Sequence, residues 1–150
     1  MSNLDTASPR APLARVLLLD DDPFMLELLA DMLDELGQFE VRRESHAHGA
    51  LAALGANAPE LLICDLSMPD MDGIEFMTAA ANARFSGRIL LLSGMDAGVR
   101  RSAERLARAH GLNVIGSFEK PLARADLQAA LKGLGGASGN LYNLTTHSGK

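Results

Sequence analysis

The chain has a single cysteine, Cys64, in 150 residues, so no disulfide can form within it. That cysteine lies inside the apolar run Leu61 to Cys64, next to Asp65, and reads as a small buried hydrophobe rather than a reactive thiol. No apolar stretch approaches the roughly 18 residues that a membrane-spanning helix needs. The first apolar run, Val16 to Leu19, ends in three aspartates, which is not the layout of a signal peptide. A basic excess is also missing: 14 Lys and Arg stand against 19 Asp and Glu, and the net charge of −5 argues against sequence-independent binding to nucleic acid or to an anionic membrane surface. Neither a G-x-G-x-x-G nor a Walker loop follows the first apolar run, which counts against a nucleotide-binding module. There are no internal repeats. The expectation is a protein of the reducing cytoplasm. With 47% hydrophobic and 22% charged residues, its length suits one domain with a continuous core.

What is present is a regular alternation. Residues 1–14, with Pro9 and Pro12, read as a loose arm. Arg15 to Leu19 predicts a buried strand; Pro23 then opens a helix with the stripe Met25, Leu28, Leu29, Met32, Leu33, Leu36, ending at Gly37. A weaker unit follows, with Phe39 to Arg43 as strand and Ala47 to Leu54 as a short alanine-rich helix. Next come strand Leu61 to Cys64, helix Gly73 to Ala83, strand Ile89 to Leu92, and a helix from Gly98 to His110 with Val99, Ala103, Leu106 and Ala107 inward. Strand Asn113 to Phe118 and helix Ala123 to Leu134 complete a domain over residues 15–134. Residues 135–150, rich in Gly, Ser, Asn and Thr, read as a linker or tail. Five strands alternating with five helices predict an α/β fold. It is a doubly wound, five-stranded parallel sheet with helices on both faces, a flavodoxin-like three-layer sandwich.

Such a sheet binds ligands outside the carboxyl ends of its strands. Asp20 and Asp21 end the first strand, Asp65 the third and Ser93 the fourth, and Lys120 follows the fifth. Crowded carboxylates oppose each other's ionisation unless a cation neutralises them, and a hard, oxygen-loving ion such as Mg²⁺ fits. A carboxylate nucleophile, a hydroxyl, an ammonium and a metal together suit a transferring phosphoryl group. Other polar residues have plainer readings. Asp22, before Pro23, reads as a helix cap, and Asp72, before Gly73, as a cap or turn residue. His46 and His48 read as a solvated loop rather than a metal site. Arg100, Arg101, Arg105 and Arg108 read as the wet face of one helix.

The stretches V-L-L-L-D-D-D-P, L-L-I-C-D-L-S-M-P-D-M-D-G, L-L-L-S-G and F-E-K-P, in that order, resemble the response-regulator receiver domains of two-component signalling. The resemblance implies that Asp65 accepts phosphate from a sensor histidine kinase or phosphotransfer protein. It implies that Asp21, Asp65 and the backbone carbonyl of Ser67 bind Mg²⁺, with Asp20 helping through water, and that Ser93 and Lys120 contact the phosphoryl group. No enzymatic turnover beyond self-phosphorylation and autodephosphorylation is expected. The signal would leave through the surface of the fourth helix, last strand and last helix, read by an output domain or a second protomer. The family often has Tyr or Phe three residues before the lysine; here that position is Ser117, and a switch by ring rotation is not expected. The run G-L-N-V-I-G-S-F-E-K-P-L is similar to receivers fused to EAL-type cyclic-di-GMP phosphodiesterases, although the EAL catalytic motif is absent from this chain. Two alternatives stand beside this reading. One is a receiver-like interaction module that is never phosphorylated. The other is an aspartate-nucleophile phosphohydrolase, against which Ser67 counts, because that class wants a second Asp there.

Overall fold

The structure, a computed structural model, describes residues 14–55, 57–94 and 97–134. The arm and tail expected at residues 1–14 and 135–150 lie outside these, Ala14 excepted. The elements run β1 (Arg15–Leu19), α1 (Pro23–Leu36), β2 (Glu40–Glu44), α2 (Ala47–Ala53), β3 (Leu61–Asp65), α3 (Gly73–Asn82), β4 (Arg88–Ser93), α4 (Ala97–Ala109), β5 (Asn113–Glu119) and α5 (Arg124–Leu131). The strands form one parallel sheet in the order β2-β1-β3-β4-β5. The order reverses beside β1, so β1 and β3 lie side by side at the centre with their carboxyl ends at one edge. This is the doubly wound α/β sandwich that the alternation predicts.

The alternation of side chains along each strand divides the core in two. Leu17, Leu19, Leu62, Cys64, Ile89, Leu91 and Val114 face one way, onto Ala47, Ala50, Phe76, Met77, Ala80, Ala103 and Ala107 of α2, α3 and α4. Val16, Leu18, Leu61, Ile63, Leu90 and Leu92 face the other way, onto Met25, Leu26, Leu29, Leu33, Leu127 and Ala130 of α1 and α5. The central strands β1 and β3 are buried on both faces, which is why they read as unbroken apolar runs.

Two details differ from expectation. In α1 the buried face comprises Met25, Leu26, Leu29, Ala30 and Leu33, while Leu28, Met32 and Leu36 are only partly covered. The helix is rolled toward Ala30, whose small side chain permits close approach. In α4, Val99 is not inward: it is 47% exposed, and only Ala103 and Ala107 are fully buried. The buried face of α4 begins a turn further on, at Ala103.

The last strand pairs irregularly. Ile89 lies opposite Val114, but Leu90 lies opposite Gly116, so Ile115 is an extra residue in β5. Beyond it Ser117 pairs with Leu91 and Phe118 with Leu92, which places Phe118 in the core under α1 and α5. Gly116 makes room for that ring: a Cβ at this position would lie 2.7 Å from a Phe118 ring carbon.

Candidate functional site

Asp20 directly follows β1 and Asp65 ends β3, and both are almost fully buried, at 1% and 2% exposure. The same local device orients them. Asp22 N–H donates to Asp20 Oδ1 at 2.9 Å, and Ser67 N–H donates to Asp65 Oδ1 at 3.0 Å, each from two residues along the chain. In both residues this leaves Oδ2 for another partner, and in both that partner is Lys120. Its Nζ lies 2.8 Å from Asp20 Oδ2 and 2.9 Å from Asp65 Oδ2. Toward Asp65 the contact is a well-directed hydrogen bond; toward Asp20 it is an ion pair without hydrogen-bond alignment, so the buried Asp20 Oδ2 keeps unsatisfied acceptor capacity. Lys120 is carried to this point by β5, since its own N–H donates to the Ser93 carbonyl at 2.8 Å.

The electrostatics follow from this packing. Burial raises the Asp65 carboxyl above its ordinary value, opposed by the Ser67 N–H and the Lys120 ammonium and reinforced by the charge of Asp20. Burial lowers Lys120, but its close contacts with the Asp20 and Asp65 carboxylates outweigh that, and the ammonium holds its proton more tightly than a free lysine. Burial, with the charges of Asp65 and Asp20, raises the Cys64 thiol far above its ordinary value, which fits an inert core side chain rather than a nucleophile.

Asp20, Asp21 and Asp65 form the one group of three or more metal-ligating side chains among the described residues, with one oxygen from each lying within 4.8 Å of the others. All donors are oxygens, two are buried, and one keeps acceptor capacity. Those properties fit a small hard cation. Asp21 is exposed at the mouth, and Ser93 is buried at the end of β4. The structure thus brings Asp20, Asp21, Asp65, Ser67 and Lys120 together at one edge of the sheet, with Ser93 linked through its backbone to Lys120.

The plainer readings also have outcomes. Asp22 caps α1 through Phe24 N–H at 3.0 Å, and Asp72 caps α3 through Glu75 N–H at 2.7 Å. His46 and His48 belong to no metal-ligating group among the described residues; His46 ends an exposed loop, but His48 lies inside a helix. His46 stands at the N-cap of α2, and His48, inside that helix, has its Nδ1 2.9 Å from Asp70 Oδ2. Asp70 is the residue that the sequence did not single out. Its partners lie 22 and 23 residues earlier in the chain, and no local signal marks them.

The profile of the response regulator receiver domain matches residues 16–132. The chain belongs to that family. A response regulator from Colwellia psychrerythraea superposes with a TM-score of 0.68 at 38% identity, covering 82% of this chain and 97% of that one. The probable chemotaxis protein CheY of Rhizobium etli is 29% identical over 82% of this chain and 93% of its own length. The cyclic di-GMP phosphodiesterase RocR of Pseudomonas aeruginosa is 27% identical over 77% of this chain, which spans 30% of RocR. Against the positive alginate biosynthesis regulatory protein of the same organism the span is 45%. The chain therefore covers less than half of these last two relatives. The receiver is a signalling module, and none of its described helices is long and apolar enough to cross a membrane.

Proposed function

We propose that this receiver takes a phosphoryl group onto Asp65. In this reading Lys120 and Ser93 contact the group, and Asp20, Asp21, Asp65 and the Ser67 carbonyl gather around Mg²⁺. The observation that carries the reading is the shared contact of Lys120 with Asp20 and Asp65, which sets one fixed cation against the nucleophilic carboxylate while acidic oxygens remain for a second. In the step, an Asp65 oxygen attacks the phosphorus of a phosphohistidine on a sensor histidine kinase or phosphotransfer protein. The P–O bond forms as the P–N bond breaks, and the departing imidazole nitrogen takes a proton from solvent. Hydrolysis later returns the acyl phosphate to carboxylate and inorganic phosphate, and the chain turns over no other substrate. Mg²⁺, when bound, supplies neutralisation of the clustered carboxylate and phosphoryl charge. Lys120, which holds its proton tightly, stays cationic throughout and can follow the phosphoryl oxygens.

The signal leaves through α4, β5 and α5, where Val99 and Ile115 are 47% and 38% exposed. With Phe118 committed to the α1 and α5 core and Ser117 on the α4 side, the route runs through Ser93, the loop after it and the start of α4, without a large ring rotation. Its reader is an output domain, for which the likeness to RocR favours the cyclic-di-GMP phosphodiesterase type, or a second copy of this receiver. The compartment is the cytoplasm. Incubation with Mg²⁺ and acetyl phosphate should add one phosphate by mass, and Asp65→Asn should abolish it. An undiminished adduct in that variant would sink the assignment.

A further inference from the structure

We propose that Asp70 is a positioning residue for the metal, fastening the β3–α3 loop to the start of α2 and so fixing the Ser67 carbonyl. The inference rests on the receiver reading above. The loop runs from Leu66 to Asp72 and is tied at both ends: Leu66 N–H donates to the Leu92 carbonyl at 2.9 Å, Ser67 and Asp72 pair as an isolated antiparallel bridge, and Asp72 caps α3. Its middle is held by Asp70. Oδ1 accepts the Ala47 N–H at 3.0 Å, and Oδ2 accepts the His48 N–H at 3.2 Å and lies 2.9 Å from His48 Nδ1.

Those two amides are among the donors that any helix leaves without intrahelical partners at its start. The residue in the N-cap place of α2, His46, makes no side-chain capping bond, so the cap comes from the distant loop instead. A carboxylate there is also favoured by the helix dipole. The Ala47 N–H, with the His48 donors, holds the Asp70 carboxyl well below the usual carboxylate range. The cap is thus an anchor at neutral pH. It matters for the metal because Mg²⁺ tolerates little departure from octahedral geometry at about 2.0–2.1 Å. A carbonyl that drifts by a few tenths of an ångström is a poorer ligand. Met68 and Met71 pack this loop against the core, but packing alone does not fix the direction of a carbonyl.

The test uses the full chain with Asp70→Ala, Asp70→Asn and Asp65→Asn, titrated with Mg²⁺ by calorimetry and phosphorylated with acetyl phosphate at low and saturating Mg²⁺. Asp70→Ala should weaken Mg²⁺ about tenfold, as loss of a group that orients a metal ligand typically does. Phosphate uptake should fall at low Mg²⁺ and recover at saturation. Asp70→Asn keeps one oxygen for the Ala47 N–H and should lose only about threefold, the equivalent of one hydrogen bond. If Asp70→Ala lowers the thermal midpoint but leaves Mg²⁺ affinity unchanged, Asp70 is a structural tie and the proposal fails. Should that variant not fold, unchanged affinity in Asp70→Asn overturns it equally. If Asp65→Asn still takes phosphate while the Asp70 variants lose Mg²⁺, the acceptor assignment fails and the positioning role stands.

Discussion

Lys120→Ala removes the cation that bridges Asp20 and Asp65, and its cost can be worked from the geometry. At an effective dielectric constant of about 20, charges 2.8 and 2.9 Å apart attract by about 6 kcal/mol each. Much of that is cancelled by the desolvation of Lys120, which the variant recovers. Removing one partner of a buried pair costs about 3–5 kcal/mol, because the remaining charge is stranded. The Lys120 side chain is 19% exposed and water can enter its place, so the lower end applies, about 3 kcal/mol. For a chain of this size that is a fall of roughly 10 °C in Tm.

The assay is urea unfolding at pH 7 in EDTA, repeated with saturating Mg²⁺. Two dependences should accompany the loss. Mg²⁺ in about 100-fold excess over its Kd adds about 2.7 kcal/mol to wild type and variant alike, so the deficit should shrink only by the amount that Mg²⁺ binds the variant more tightly, as loss of the neighbouring ammonium should make it do. In EDTA the deficit should also shrink as pH falls toward 5. Without the ammonium the Asp65 carboxyl, already raised by burial, binds a proton more tightly folded than unfolded, and stability then rises as protons are added. A loss under about 1 kcal/mol, or one indifferent to both Mg²⁺ and pH, would refute the view that Lys120 neutralises this pocket.

Other outcomes follow from the same structure. Asp21→Ala should weaken Mg²⁺ binding far more than Asp22→Ala, because Asp22 spends its side chain on capping α1; calorimetric titration of both variants checks this. Ser93→Ala should still accept phosphate on Asp65 but lose the amide-shift response of the α4–β5–α5 surface to a beryllofluoride mimic, measured by NMR. Gly73→Ala would place a Cβ 2.7 Å from Leu66 Cδ2, so thermal unfolding should show a loss of about 1–2 kcal/mol, the strain outweighing the better helix propensity. The Asp70 carboxyl, held low when folded, contributes stability that is present above its ordinary value of 3.8 and is lost as pH falls below it. Asp70→Ala should therefore flatten the acid limb of the stability curve below about pH 4, and an unaltered limb would contradict the capping role.

Much of this site was legible in the sequence because strand ends are. Apolar runs that stop at Asp20 and Asp65 announce where two central strands surface, and the parallel order brings those ends together. Asp22 and Asp72 were legible as caps because capping acts over two or three residues. Lys120 was legible as a member of the site but not as the bridge between Asp20 and Asp65, since that depends on distances across three strands. Asp70 was not legible at all. Nothing near it in the chain distinguishes it from Asp72, and only the packing of α2 beside the loop gives its carboxylate two amides to accept.

The face that Phe118 occupies was open for a different reason, and the extra residue in β5 decides it. Val114 faces α3 and α4. Under strict alternation residues 116 and 118 would face the same way, and the Phe118 ring would stand on the α4 side, the proposed output surface. Ile115 inverts the phase, so Gly116 and Phe118 turn to α1 and α5 and Ser117 turns to α4. Gly116 within the strand was the available signal, since glycine inside a strand often marks a bulge or a close approach. The consequence reaches beyond local geometry. On the proposed route, with the Phe118 ring over Gly116 in one core and only a serine hydroxyl on the α4 side, the difference between resting and phosphorylated states would fall to the backbone around Ser93 and the first turn of α4, where Val99 is 47% exposed.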